Sequence, residues 1–191
     1  NSAYGDDSGG AIYFTGEGSV VNCSFVGNYV KGHSSGGVMY GGSCVNCIFI
    51  NNSASGYYSS GVIYRASAKN CTFTDNSAND GCGVIFYGDA LNCIFKNNHG
   101  EDSGVMNYGN AVNCTFESNS AYGFDSGGAM MGGSAVNCIF VGNVAYVFDS
   151  GGAMYGGSAV NCTFINNSVY DYKSGGAVYG GSCVNCSFVD L

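Results

Sequence analysis

The chain has 191 residues, among them 33 Gly, 22 Asn and 11 Cys, and it contains no Pro, Trp or Gln. Only 9% of the residues are charged and the net charge is −8, a composition that argues against long helices and against a nucleic-acid-binding surface. The apolar share of 46% argues against a disordered chain, and no apolar run reaches the 18 residues of a membrane-spanning helix, so we expect no membrane insertion.

One motif recurs eight times along the chain. The dipeptide Asn-Cys is followed two residues after its Cys by a Phe and, in seven of the copies, three residues later by a further Asn. The copies begin at Asn22, Asn46, Asn70, Asn92, Asn113, Asn137, Asn161 and Asn185, at intervals of 24, 24, 22, 21, 24, 24 and 24 residues. Because so short a unit cannot bury its own apolar face, the copies must stack, which predicts a β-solenoid.

Three short strands are predicted in each unit. The first follows the Asn that comes three residues after Phe and turns a small residue inward. The second, in Gly-Ala-Met-Tyr, turns a large aliphatic residue inward, and the third, in Val-Asn-Cys-Thr-Phe, turns Val, Cys and Phe inward and Asn outward. We therefore expect an all-β, three-faced parallel β-helix of about eight coils of 21–24 residues, forming a single domain over residues 1–191.

Stacking places like residues above like residues. The Asn that follows Phe is expected at a bend, where its amide bonds to the amide of the next coil and to the backbone. The loop between this Asn and the second strand changes length only between Asn76 and Gly83 and between Asn98 and Gly104, so it is expected to be an exposed corner.

Two known families carry similar repeats. The pairing of G-G-A-I with F-x-x-N resembles the repeats of chlamydial polymorphic membrane proteins, and N-C-T-F-I-N-N-S with S-G-G-A-x-Y is similar to adhesin-like surface proteins of methanogenic archaea. The resemblance covers all eight units. It implies an extracellular or cell-surface, right-handed parallel β-helix used for adhesion or surface structure.

The cysteines are expected to be free thiols. Eight of them form one column in which neighbouring Cβ atoms lie about 4.8 Å apart, longer than the roughly 3.8 Å of a disulfide. The pairs Cys44/Cys47 and Cys183/Cys186 have the spacing of zinc ligands, but strand alternation predicts that the two members face opposite sides. No metal site or cofactor is therefore predicted, and Cys44, Cys82 and Cys183, which stand outside the column, are candidates for intermolecular bonds.

Catalytic residues are not evident in the sequence. Polysaccharide lyases and depolymerases use this fold with clustered carboxylates, yet the chain has one Arg and two distant His residues. Its acids lie mainly in the variable corner, where Asp125 and Asp149 fall on adjacent coils as solvated bend residues or as a carboxylate pair. We expect no enzyme, with a carbohydrate-active β-helix enzyme as the alternative.

Aromatic residues mark a candidate binding surface. The position after the inward aliphatic residue is predicted to point outward beside exposed Ala or Val, and it holds Tyr13, Tyr40, Tyr64, Tyr155 and Tyr179. This stripe is either a stacked ladder that stabilises the sheet or a contact surface for a cell-surface glycan or protein. Further aromatic residues lie in the variable corner, at Tyr57, Tyr58, Tyr122, Phe124, Tyr146, Phe148, Tyr170 and Tyr172.

Seven Asn-x-Ser/Thr sequons suggest a glycoprotein. They begin at Asn22, Asn51, Asn70, Asn113, Asn161, Asn166 and Asn185. Five belong to the Asn-Cys dipeptides, which are predicted to face outward, although the repeat consensus alone is enough to generate these sequons.

The first and last residues match the same point of the repeat, and the chain begins without Met. We interpret it as processed or cut from a longer chain. In this register the last coil of one copy can accept the first coil of another, which predicts head-to-tail association into a filament, with an artificial boundary as the alternative. The sequence thus indicates a non-enzymatic extracellular surface protein, either an adhesin segment or a structural fibre subunit.

Overall fold

The computed structural model describes residues 1–190 and contains strands and bends, with no helix in that range, hence none that could cross a membrane. The chain winds through eight coils, numbered here from the Asn that opens each one. Coils 1 to 8 open at Asn1, Asn28, Asn52, Asn76, Asn98, Asn119, Asn143 and Asn167. Strands of successive coils pair in parallel, for example Phe73 with Phe49 and Phe95. The predicted parallel β-helix of about eight coils is confirmed.

Two of the sheets come from the first half of each coil. Sheet I consists of Ser2–Tyr4, Tyr29–Lys31, Ser53–Ser55, Ser77–Ala78, His99–Gly100, Ser120–Ala121, Val144–Ala145 and Ser168–Val169. Sheet II consists of Ile12–Tyr13, Met39–Tyr40, Ile63–Tyr64, Ile85–Phe86, Met106–Asn107, Met130–Met131, Met154–Tyr155 and Val178–Tyr179. The variable corner lies between these sheets, and in coils 3 and 4 it adds a two-stranded pairing of Ser59–Ser60 with Gly81–Cys82.

The other two sheets come from the second half of each coil. Sheet III consists of Ser19–Val21, Ser43–Val45, Ser67–Lys69, Ala90–Leu91, Asn110–Val112, Ser134–Val136, Ser158–Val160 and Ser182–Val184. Sheet IV consists of Ser24–Val26, Ile48–Ile50, Thr72–Thr74, Ile94–Lys96, Thr115–Glu117, Ile139–Val141, Thr163–Ile165 and Ser187–Val189. The described chain therefore has four eight-stranded faces.

The prediction of three faces is wrong because the Val-Asn-Cys-Thr-Phe segment forms two strands. The Asn of each Asn-Cys dipeptide adopts a left-handed conformation, with φ between 53° and 55°. Asn tolerates this region better than most residues, so it bends the chain between sheet III and sheet IV. The alternation of a single strand cannot continue through such a bend.

The bend also decides which side chains enter the core. Cys and Phe face inward as predicted, and Cys71 and Phe73 are almost completely buried. The Val before the Asn was expected inside, but it lies on the outer side, where Val21 is 50% exposed. The residue before that Val is inward instead, as at Ala68. The inward small residues of sheet I, such as Ala54, are confirmed.

Sheet II departs from simple alternation as well. Val38, expected on the surface, is buried together with its neighbour Met39. Both backbone amides donate to the same carbonyl oxygen of Val62, at 2.9 Å, so the two residues do not alternate across the sheet. The preceding Gly37 allows this bend because a Cβ there would lie 2.1 Å from the Gly61 carbonyl oxygen.

Two ladders run the length of the core. The Phe rings from Phe25 to Phe188 stack with centroids 4.7 to 5.1 Å apart and planes within 12° of parallel. The Asn side chains that open the coils form the second ladder, as predicted. Asn76 Nδ2 donates to Asn98 Oδ1 at 3.0 Å and to the Phe49 carbonyl at 3.1 Å, while its Oδ1 accepts from the Nδ2 and backbone N–H of Asn52. Every hydrogen-bonding position of this buried amide is therefore used.

Replacing Asn76 by Ala removes four hydrogen bonds at once. Because the partners stay buried without replacements, we expect the free energy of unfolding to fall by about 3–5 kcal/mol. Asn79→Ala, at the exposed corner of the same coil, is the control and is expected to change stability by less than about 0.5 kcal/mol. Urea denaturation of the two variants measures both values, and equal stabilities would contradict a stabilising role of the ladder.

Candidate functional site

The predicted binding residues occupy the outer side of sheet II. Rings of Tyr13, Tyr40, Tyr64 and Phe86 stack in that order, with centroids 4.9, 5.5 and 5.6 Å apart. The stripe is not continuously exposed, as the sequence predicted. Tyr13 is 52% exposed, but Tyr64 is 4% exposed and Phe86 is buried.

Neighbouring side chains cover the middle of this stripe. The ring of Tyr87 stands edge-on to Phe86 at 4.7 Å and to Tyr64 at 6.4 Å. The Arg65 guanidinium lies 5.5 Å from the centre of the Tyr64 ring, and Tyr58 contacts Phe86 from the corner. Tyr40 is half-buried. In coils 3 and 4 the stripe is therefore part of a small second core rather than an open surface.

The remaining two predicted residues, Tyr155 and Tyr179, lie on coils 7 and 8 and are half-buried. Their rings stack at 5.6 Å, and their hydroxyls donate to Asp125 and Asp149 respectively, each at 3.2 Å. Burial raises the pKa of Tyr155, whereas the charge of Asp149 is the main cause that raises the pKa of Tyr179. These two aspartates, the carboxylate pair considered above, are thus engaged by tyrosines of the following coil.

A more open aromatic surface lies at the corner of coils 6 to 8. We call it the aromatic corner, and it comprises Tyr122, Phe124, Tyr146, Phe148, Tyr170 and Tyr172. Tyr122, Tyr146 and Tyr170 stack at 4.8 and 5.4 Å, and Phe148 stacks on Tyr172 at 5.5 Å. Exposure reaches 72% at Tyr170. Within each ladder the rings cover one another's faces, so ring edges and hydroxyls face the solvent.

The shortened corners of coils 4 and 5 bring together carboxylates that the sequence analysis did not single out as a group. Asp80, His99, Glu101 and Tyr122 line one open depression. Burial raises the pKa of Glu101, and the charges of Asp80 and Asp102 raise it further. Burial lowers the pKa of His99, against the opposing effect of Asp75. The signal available in the sequence was the pair of shorter intervals, 22 and 21 residues, at this point.

The cysteine column is structural. The N–H of Cys47 donates to the Sγ of Cys71 at 3.4 Å, and the Cys47 thiol donates to the Val45 carbonyl at 3.2 Å. Both contacts recur along the column, and no disulfide joins any of the eleven cysteines. Burial raises the pKa of Cys47, which keeps this thiol protonated and inert.

Three cysteine predictions need correction. Cys44 and Cys47 were expected on opposite faces, but both are buried, because the left-handed Asn46 between them turns the second one inward. Cys44 Sγ lies 3.8 Å from Cys71 Sγ. Cys44 and Cys82 were candidates for intermolecular bonds, yet both are fully buried, and of the three only Cys183 is exposed. Among the described residues no group of three or more His, Cys, Asp or Glu side chains is arranged to hold a metal ion.

The sequon asparagines lie on the surface. All seven, Asn22, Asn51, Asn70, Asn113, Asn161, Asn166 and Asn185, are exposed and left-handed. In the Asn-Cys column the side-chain amides also bond along the stack, as where Asn70 Nδ2 donates to Asn46 Oδ1 at 3.2 Å. Glycosylation and head-to-tail association stay predictions.

Comparison with known families supports the resemblance seen in the motifs. The model of the Chlamydia polymorphic membrane protein repeat matches residues 161–181, which run from the Asn-Cys dipeptide of coil 7 to the second strand of coil 8. This match and the stacked parallel coils agree with an adhesin-like β-helix and indicate a surface-associated protein. A search of curated proteins finds no match.

Burial predicts how the thiols react. In the native protein Cys183 is expected to react first with a thiol reagent, and after unfolding without reductant all eleven thiols are expected to react. Cys183→Ser should abolish the fast phase, whereas Cys44→Ala, which installs the residue found at the same place in most coils, should leave it intact. Four or more disulfides in the unfolded, unreduced chain would contradict the assignment.

Proposed function

We propose that this chain is a non-enzymatic contact segment of an extracellular surface protein, an adhesin-type β-helix that meets its partner through the aromatic corner. The observation that carries the proposal is the pair of exposed ring ladders, held in register by the coils of sheet I. Contiguous exposed aromatic surface is uncommon on a soluble protein without a partner, and Tyr combines apolar area with a hydroxyl.

The rigidity of the scaffold supports this role. The strand before each corner is fixed by the Asn ladder, and the corner then follows within a few residues. Six aromatic side chains are therefore presented with little loss of conformational entropy on binding. An extended partner, such as a surface glycan or a neighbouring protein, can contact several coils at once.

The carboxylates support a non-enzymatic role. Asp125 and Asp149 accept hydrogen bonds from tyrosine hydroxyls. In the depression of coils 4 and 5, Asp80 is close enough to Glu101 for a hydrogen bond to raise its pKa, which is closer than the roughly 5–9.5 Å between the carboxyl groups of glycosidases. The alternative, a carbohydrate-active enzyme, requires separated carboxylates at a groove.

The proposal is tested by replacing Tyr122, Tyr146 and Tyr170 with Ser in one variant. Beads coated with this variant should lose about tenfold or more of their retention on an array of immobilised glycans and extracellular proteins, because three contact rings are lost. The matched control replaces Tyr87 and Tyr108, which stack at 5.7 Å with comparable exposure on another side of the solenoid. Equal retention of both variants on every target that the unmodified chain binds would overturn the aromatic corner as the contact surface.

We also propose that the Asn-Cys column carries N-linked glycans on alternate coils. Ser or Thr alternates with Ile after the first seven Cys residues, so sequons occur at Asn22, Asn70, Asn113 and Asn161 but are missing from the coils between. Two coil spacings of about 4.8 Å separate these sites by about 10 Å, which reduces crowding between neighbouring glycans. A glycosylated Nδ2 keeps one hydrogen for the bond to the adjacent Asn.

Intact-mass measurement of native material tests this modification. We expect a mass above that of the 19.6 kDa polypeptide by multiples of one glycan. Peptide mapping should then place the additions at the exposed Asn residues of the column. An unmodified mass would show that the sequons arise from the repeat consensus alone.

A further inference from the structure

The register of the coils is broken at one place. Six coils have corners of equal length, whereas the intervals that include the corners of coils 4 and 5 are two and three residues shorter than 24. The flanking positions stay in register, since Cys82 pairs with Ser103 and Ser103 with Gly127. The missing residues are therefore lost from the outer edge of the corner. They leave a notch between the longer corners of coils 3 and 6, two coil spacings or about 10 Å wide.

The backbone of the notch is tightly built. The N–H groups of Glu101 and Asp102 both donate to the Gly81 carbonyl, at 2.8 and 3.1 Å, and the Gly123 N–H donates to the Glu101 carbonyl at 2.9 Å. A Cβ at Gly100 would lie 2.2 Å from the Ser103 carbonyl oxygen, so no side chain fits at this turn. The acidic side chains consequently project from a fixed backbone.

An aromatic ring closes one end of the notch. Tyr122 is the first ring of the aromatic corner, with Tyr146 stacked on one side of it. On its other side the nearest ring is His99, which stands perpendicular to it at 6.4 Å. The face of Tyr122 toward coil 5 is therefore not covered by a parallel ring, and it borders the depression that Asp80 and Glu101 also line.

Buried polar atoms lie behind the carboxylates. Asn107 is 2% exposed, and its Nδ2 reaches Asp102 Oδ2 at 3.4 Å. Its Oδ1 and the Oγ of the buried Ser103 have no hydrogen-bond partner among the described residues. Such buried acceptors are usually satisfied by water or by a bound hydroxyl group.

We propose that the notch binds a non-acidic glycan, with one sugar ring against the open face of Tyr122 and sugar hydroxyls donating to Asp80 and Glu101. Carboxylates accept hydroxyl hydrogens, and an aromatic ring pairs with the apolar face of a sugar. The depression is lined by no Lys or Arg, and the protein carries a net charge of −8, so uronic and sialic acids are repelled. This assignment rests on the proposed adhesin-type function and names the ligand class for one part of that surface.

The test is an NMR titration of the ¹⁵N-labelled chain with lactose, chitobiose and digalacturonate. Lactose or chitobiose should shift the amide signals of Gly100, Glu101, Tyr122 and Gly123, and digalacturonate should not. Tyr122→Ala and Glu101→Gln should each weaken binding by about tenfold or more, while Tyr170→Ala, at the far end of the same ladder, and Glu17→Gln, on coil 1, should leave it unchanged. Glu101→Lys should admit digalacturonate.

The outcomes separate this proposal from the wider one. No shift in these amides with either non-acidic sugar, or equal binding of digalacturonate, would overturn the notch as a non-acidic glycan site. Loss of glycan binding in the notch variants with bead retention unchanged would support the notch and place adhesion elsewhere. Retention lost only in the triple tyrosine variant, with no sugar titration, would leave the adhesin-type function standing and remove the notch. Cleavage of a sugar would overturn the non-enzymatic assignment.

Discussion

The buried amide at the start of each coil is the constraint on which the rest of the structure depends. A side-chain amide in the core must place two donors and its acceptor lone pairs, and Asn143 does so only with an identical amide on the next coil and a Phe carbonyl on the coil before. The cost of an unsatisfied buried amide therefore fixes the register of every coil against its neighbours. Once that register is fixed, the other columns must stack like on like.

The cysteine and phenylalanine columns follow from this register. Rings stacked near the coil spacing fill the interior without voids, and a thiol is small enough to sit at the bend between sheets III and IV. The thiol also donates to a carbonyl and accepts an N–H, so it satisfies backbone groups that the left-handed Asn would otherwise leave unpaired at the bend. A disulfide between neighbouring coils would remove these contacts, which explains why a cysteine-rich chain is organised here by stacking.

The sequence predicted the solenoid, its coil number and its inward columns because repetition at a fixed interval leaves few alternatives. It did not predict the fourth face, because a period of two was read through Asn46 and its equivalents, whose preference for a left-handed bend was the missing signal. The same error placed Val21 inside and Cys44 opposite Cys47. The exposure of the sheet II aromatics was also beyond the sequence, because Tyr64 is covered by Tyr87 and Arg65, residues that occupy a position held by Gly in other coils.

Individual chemistry is expected where the columns do not dictate the residue. A change in the length of a sheet would displace an Asn, Cys or Phe from its column and leave buried partners unsatisfied, whereas the corner between sheets I and II contributes no side chain to these ladders. The deletions at Asp80 and Glu101 and the aromatic residues from Tyr122 onward both lie in this corner. Desolvated carboxylates and exposed rings cost folding free energy that the core does not require. Their concentration at the one tolerant edge of a constrained scaffold is the physical reason to seek binding there.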